Sequence, residues 1–332
     1  MPIAVAYKFA EDDGGYLAAL ITFYGFVSLF PLLLLLTTAL GFLLHGDRHL
    51  QQQLLDSALH QFPIIGEQIG GNVRAVHGSL LAAAIGLTIA LLGALGVAQA
   101  VQYTLDTVWA VPRARRPGPV HSRLRSLWLL VVGGLGVAAT TALSGLSAGA
   151  SRYDTGAGAG LRTVAVIVGV ALNAGLFLAV FRMLTARHVS TRQVVPGAVT
   201  AAVGWQLLQW VGTWFVSHEL RGASGSYGIF GVVLGLLGFL YLAATLVVLC
   251  AELNVVLAHR LWPRALLAPF ADDAELTAAD RRAYTSYAQA GRHKAAQRIR
   301  VTYGPQPPTA ERPDQADDHA GERSQRDDAD QV

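Results

Sequence analysis

Over the first 257 positions polar residues are sparse, and the stretches between them are apolar on every helical face. Leu17–Leu44, Leu80–Val101, Leu127–Leu146, Thr163–Leu184, Val194–Val216 and Gly228–Leu257 are the long apolar runs. Each has roughly 20 residues or more, enough to cross ~30 Å of hydrocarbon at ~1.5 Å per residue. A buried helix of a soluble protein seldom stays apolar all round for so long. The pattern predicts an all-α fold, a polytopic membrane bundle of six transmembrane helices. Between the first two runs, Leu50, Leu54, Ala58, Phe62, Ile65, Ile69, Val73 and Val76 recur every three or four positions. That spacing places them on one helical face. Pro63 and Gly70-Gly71 divide it into two amphipathic outer-loop helices that lie on the outer interface or cap the bundle. The first run is not a cleaved signal: it is too long, and Glu11, Asp12 and Asp13 precede it where a signal would be basic.

Composition sharpens the division. Of the 332 residues 53% are hydrophobic and 14% charged, and 12 of the 22 acids follow residue 270. The spacing of Ala279, Ala283, Tyr287 and Ala290 among six arginines and lysines predicts a basic cytoplasmic helix over 275–300, near anionic lipid. From 303 the chain has eight acids against three bases and almost no apolar residues, so it cannot offset its ordering entropy and is expected to be disordered. Three regions result: a membrane domain over 1–265, a basic helical segment over 266–302 and an acidic disordered tail over 303–332.

Loop charge sets the expected orientation, because Lys and Arg in short loops favour the cytoplasmic side. Arg113, Arg115, Arg116, Arg123, Arg125, Arg182, Arg187 and Arg192 fall on one side, against Arg48, Arg74, Arg152, Arg162 and Arg221 on the other. With six spans, both termini are then cytoplasmic. The net charge of +3 comes with these loop arginines and does not argue for nucleic-acid binding. Cys250 is the single cysteine, so neither an intramolecular disulfide nor a cysteine-cluster metal site is available.

Helices in lipid associate through close packing and interhelical hydrogen bonds. Ala82, Gly86, Ala90, Ala94 and Ala98 put a small residue at every fourth position of the second span. Ala171, Gly175 and Ala179 in the fourth span, and Gly231 and Gly235 in the sixth, repeat the device. Pro31, midway along the first span, removes a backbone donor and predicts a kink.

Ionisable groups at membrane depth are costly and point to function by default. Glu252, close to the end of the last apolar run, is the leading case, with Asn254 two positions on. The two side chains are about 200° apart on a helix. One is therefore expected to face the bundle while the other reaches the headgroups. Glu252 reads either as a proton or cation site or as the partner of an arginine or a backbone donor. Asp106 belongs to the same end, where it would share a proton or cation with Glu252 or pair with Arg113 or Arg125. Asn173, Gln206 and Gln209 are deeper and uncharged, and interhelical bonding is their plainer reading. Pro31, Asp106, Asn173, Gln206, Gln209, Glu252 and Asn254 are the candidate polar-site residues.

No catalytic constellation accompanies them. The chain has no Walker motif, no Gly-x-Ser-x-Gly elbow and no His-Glu-x-x-His. His45 and His49 lack an evident third ligand. No cofactor or metal is implied.

Three segments together resemble the YihY/BrkB-like family of bacterial inner-membrane proteins. They are Leu20-Ile21-Thr22-Phe23-Tyr24-Gly25-Phe26-Val27-Ser28-Leu29-Phe30-Pro31-Leu32, Thr104-Leu105-Asp106-Thr107-Val108-Trp109 with the arginines that follow, and Tyr227-Gly228-Ile229-Phe230-Gly231 running on to Ala251-Glu252-Leu253-Asn254. The resemblance covers roughly residues 5–260. It implies six helices with both ends cytoplasmic, and a loose tie to envelope integrity, serum resistance and lipid or lipopolysaccharide export. The ribonuclease BN label once attached to the family is rejected here, since residues for phosphodiester hydrolysis are absent. Asp106 stands where the family usually has Asn, and Phe239 where it usually has Trp.

The sequence therefore describes a non-enzymatic, multi-pass protein of a bacterial cytoplasmic membrane. Its expected role is moving or flipping a lipidic or amphiphilic envelope component; the alternative is a non-transporting envelope-integrity or scaffold protein, with a membrane-bound hydrolase as a distant third. Expected partners are membrane lipids, with anionic headgroups near the basic loops and no nucleic acid, and a homo-oligomer or partner membrane protein fits as well.

Overall fold

The computed structural model describes residues 1–43, 80–150, 158–218, 228–271 and 274–304. All regular structure among the described residues is helical. The helices are α1 (Pro2–Glu11), α2 (Gly14–Leu43), α3 (Leu80–Val108), α4 (Pro119–Ala150), α5 (Gly158–Leu184), α6 (Thr191–His218), α7 (Gly228–His259) and α8 (Ala278–Ala290), with one 3₁₀ turn at Arg113–Arg115. Val166–Leu184, Thr191–Trp214 and Val233–His259 are long and apolar enough to cross a membrane. The expected outer-loop helices over 45–79, and the acidic tail from 305, lie outside the described residues, as do the side chains around Pro31 within α2.

Helix α1 begins with Pro2 in its first turn, where a missing N–H costs nothing. Helices α3 and α7 both end in left-handed residues, Ala110 (φ 49°) and Arg260 (φ 51°). At each end a backbone N–H reaches five residues back, Val111 to Asp106 and Leu261 to Val256, which closes the last turn and reverses the chain. Thr277 caps α8: its hydroxyl accepts from the Asp280 N–H, and Asp280 accepts from the Thr277 N–H. The expected basic helix over 275–300 is thus confined to 278–290. Gly291 ends it, and the chain that follows is held by the α3–α4 loop, where Ala114 N–H donates to Arg292 O at 3.0 Å.

Helix α7 is the hub and packs against α1, α2, α3 and α6; α5 bridges α4 and α6. Small residues set the closest approaches. A Cβ on Gly93 would lie 2.9 Å from Ser28 Cα, and one on Gly96 would lie 2.6 Å from Tyr24 Cδ1, so α3 sits directly on α2. Ala94 and Ala98 of the predicted α3 stripe are buried. The α5 stripe behaves otherwise. Ala171 and Gly175 are exposed, and a Cβ on Gly175, or on Gly231 of α7, would touch nothing among the described residues. A repeat of small residues permits a close approach without requiring one.

Candidate functional site

Buried charge is concentrated where α1 and α8 meet the end of α7. Glu252 is fully buried, and Lys8 and Asp12 at the end of α1 are buried with it. Lys8 Nζ donates to Asp12 one turn on and lies 3.2 Å from Glu252 Oε2. The second contact has the distance of an ion pair without hydrogen-bond alignment, and neither Glu252 oxygen has a hydrogen bond among the described residues. The Tyr287 ring of α8 lies against Lys8 Nζ, 5.2 Å from ring centre to nitrogen. Burial opposes the charged ammonium of Lys8, but Glu252 and Asp12 together hold it above its ordinary range. Burial raises the Asp12 carboxyl against the pull of Lys8.

A second cluster continues outward from the first. Arg264 donates through Nη1 and Nη2 to the two oxygens of Glu11 (2.7 and 2.6 Å) and through Nε to Asp280 Oδ1 (2.7 Å). Tyr287 Oη donates to Glu11 Oε2 at 2.9 Å while its ring faces Lys8, so one tyrosine joins both clusters. Asp280 also accepts from the Ala265 and Thr277 N–H groups. Burial would raise its carboxyl, but these donors, Arg264 foremost, hold it below the usual range. The Tyr7 hydroxyl donates to Leu266 O. Residues from both described ends of the chain are therefore locked together at one end of the bundle.

Chemically, the inner cluster sets one ammonium between two carboxylates. Fully ionised, it carries one uncompensated negative charge away from water, and it can discharge that by holding one proton or one small cation. No group of three or more His, Cys, Asp or Glu suited to a metal ion occurs among the described residues.

The sequence candidates do not converge on one site. Glu252 is central, but its partner Lys8 lies at the other end of the chain. Asn254 does not reach the headgroups. It is fully buried on the opposite side of α7, where its Oδ1 accepts from Gly197 N–H of α6 at 2.7 Å. Both side chains are buried because α7 is covered on both sides, by α1 and by α6. Among the described residues Asp106 neither pairs with Glu252 nor hydrogen-bonds to an arginine, although the charges of Arg116 and Arg125 act on it. It accepts from Ala186 N–H at 2.7 Å and fastens the chain after α5 to the end of α3. Asn173 and Gln209 are half-buried, and Gln206 is exposed. Gln102, which no motif marks, binds α4 instead: Nε2 donates to Ser126 Oγ (2.9 Å) and Ser122 O (3.1 Å), and Oε1 accepts from Ser122 Oγ (2.8 Å). Lys8, Glu11, Asp12, Arg264, Asp280 and Tyr287 are likewise unmarked by any motif. The one local signal is the Thr277-x-x-Asp280 cap.

The Asn254 seam gives a sharp test. A Cβ on Gly197 would lie 2.3 Å from Cys250 O and 2.4 Å from Asn254 Nδ2. Gly197→Ala should separate α6 from α7 and destabilise the protein by ~1–3 kcal/mol. An unchanged unfolding midpoint in detergent would show that the helices do not touch there.

The chain has relatives with membrane names. Inner membrane protein YhjD of Escherichia coli is 24% identical over 267 residues, covering 75% of this chain and 78% of that protein. UPF0761 membrane protein Mpe_A1422 of Methylibium petroleiphilum is 27% identical over 260 residues, covering 74% of this chain and 59% of that one. The putative ribonuclease-like protein YfkH of Bacillus subtilis is 32% identical over 85 residues, 26% of this chain and 30% of its own. No solved structure matches. The family described as Virulence factor BrkB matches residues 5–274, from the first turn of α1 to beyond Arg264, and with its helical segments of membrane-crossing length the chain is a membrane protein belonging to that family.

Proposed function

We propose that this protein moves or flips an amphiphilic, lipid-like component of the cell envelope across the bacterial cytoplasmic membrane. In this reading α2 to α7 are six transmembrane helices, and both termini are cytoplasmic. The observation that carries the reading is Gln206. It lies within the apolar segment Thr191–Trp214, yet it is exposed and has no side-chain hydrogen bond among the described residues. Val199, Val203, Trp210 and Trp214 share its outward face. An amide at this depth has no water to bond, so an outside partner would relieve it. The polar part of an amphiphile travelling along α6, with its apolar part in the bilayer, supplies one.

The end with both described termini presents Arg113, Arg115, Arg123, Arg281 and Arg282 in exposed positions, which suits anionic headgroups of the inner leaflet. Proteoliposomes with a fluorescent phospholipid analogue test the proposal. Purified protein should speed loss of inner-leaflet label above protein-free vesicles, and Gln206→Leu should slow it by about fivefold or more. A rate equal to that of empty vesicles sinks the reading.

The buried ion pairs favour a second reading, a non-transporting envelope-integrity or scaffold protein. There Gln206 would bond across an interface with another helix, and Gln206→Leu would change the oligomeric state without any flux to lose.

A further inference from the structure

A cleft of about 230 Å³ opens between the first turns of α4 and the last turns of α5. Arg125, Trp128, Leu129 and Val132 line one wall, and Ala179, Met183 and Leu184 the other. The spacing explains the walls: positions 125, 128, 129 and 132 fall on one face of α4, and 179 and 183 on one face of α5. The cleft exists because Ala179 is small. Nearer the middle of the bundle the helices close, with Leu176 Cδ1 within 3.2 Å of where a Cβ on Gly136 would sit.

Arg125 is the one charged group in this lining. Its Nη1 is buried and has no hydrogen-bond partner among the described residues. The neighbouring polar groups of α4 are already used, because Ser122 and Ser126 bond to Gln102 on the α3 side. A buried guanidinium N–H without an acceptor is a costly arrangement that a ligand oxygen would relieve. Depth narrows the ligand further. Leu184 ends the apolar segment Val166–Leu184, so Arg125 sits at headgroup level, and half-exposed Trp128 stands at the rim as interfacial tryptophans do. Sites that enclose a whole drug-sized molecule measure roughly 300–1,000 Å³. This cleft is smaller, so it would hold part of a molecule whose remainder stays in the bilayer.

We infer that the α4–α5 cleft binds an anionic phospholipid, its phosphate on Arg125 and an acyl segment against Trp128, Leu129, Val132 and Met183. The inference deepens the amphiphile-moving proposal by naming the substrate class, but binding here is measured without movement. Native mass spectrometry of the full chain would count lipid retained from micelles containing equal phosphatidylglycerol and phosphatidylcholine. Phosphatidylglycerol should be retained preferentially. Arg125→Gln should lower that preference by about tenfold, the loss of a charge-assisted contact. Ala179→Trp, which fills the cleft and keeps the charge, should lower total retained lipid. Equal retention of the two lipids by the parent protein, or Arg125→Gln and Ala179→Trp both within twofold of it, overturns the site. So does competition by free glycerol phosphate as strong as by the lipid, which would make it a soluble-anion site. If binding holds but flux in proteoliposomes is absent, the lipid site stands and the transport reading falls. Flux without binding keeps the transport reading and removes this site.

Discussion

Lys8→Met should destabilise the detergent-solubilised protein by ~3–5 kcal/mol, the usual cost of breaking a buried ion pair from one side. Removing the ammonium leaves Asp12 and Glu252 facing each other out of water with nothing between them. Neutralising both, as Lys8→Met with Asp12→Asn and Glu252→Gln, removes the stranded charge and should recover most of the loss. Single and triple variants compared by equilibrium unfolding check this; a single variant as stable as the parent would show that Lys8 does not neutralise the cluster. The pH dependence has a definite sign. The folded Lys8 is held above its ordinary value of 10.5, so its contribution is complete below that pH and fades as pH rises through the folded value. The parent should therefore approach the Lys8→Met variant only in strong alkali.

Arg264→Met is expected to be as costly, ~3–5 kcal/mol by the same reasoning, since it leaves Glu11 and buried Asp280 without their cation. Its distinguishing mark is local. Arg264 is the shared partner of α1 and α8, so amide exchange in 278–290 should accelerate far more than exchange in α7. Exchange in α8 that matches the parent would mean that the helix is held by other contacts. Because Asp280 titrates below its ordinary 3.8, the clamp it contributes is present above that pH and is lost as pH falls through the folded value.

Much of the fold can be read from the chain because period and length are local properties. The apolar runs fall on α2 to α7, and the helices differ mainly by extending past them, as α3 does to Val108. Glu252 stands out because a carboxylate within an apolar run has few explanations. Its partner does not. Lys8 precedes the first apolar run, with Val5, Ala6, Phe9 and Ala10 around it, and nothing in so short a segment announces that it folds back over α7. The 200° separation of Glu252 and Asn254 is legible from helical geometry; that both directions are covered depends on α7 being central, which is a property of the assembly. The α5 stripe is misleading for the converse reason, since small residues also border clefts, as Ala179 does.

The pairing of Glu11 and Lys8 with Arg264, Asp280 and Glu252 also orders biosynthesis. The ribosome delivers Lys8 and Glu11 long before it reaches Glu252 and Arg264. Until α7 has been inserted and residue 280 has emerged, the leading helix carries charges with no place to be buried. A stalled or clipped nascent chain would therefore keep only the Lys8–Asp12 pair and lack the partners that Lys8 and Glu11 find in Glu252 and Arg264.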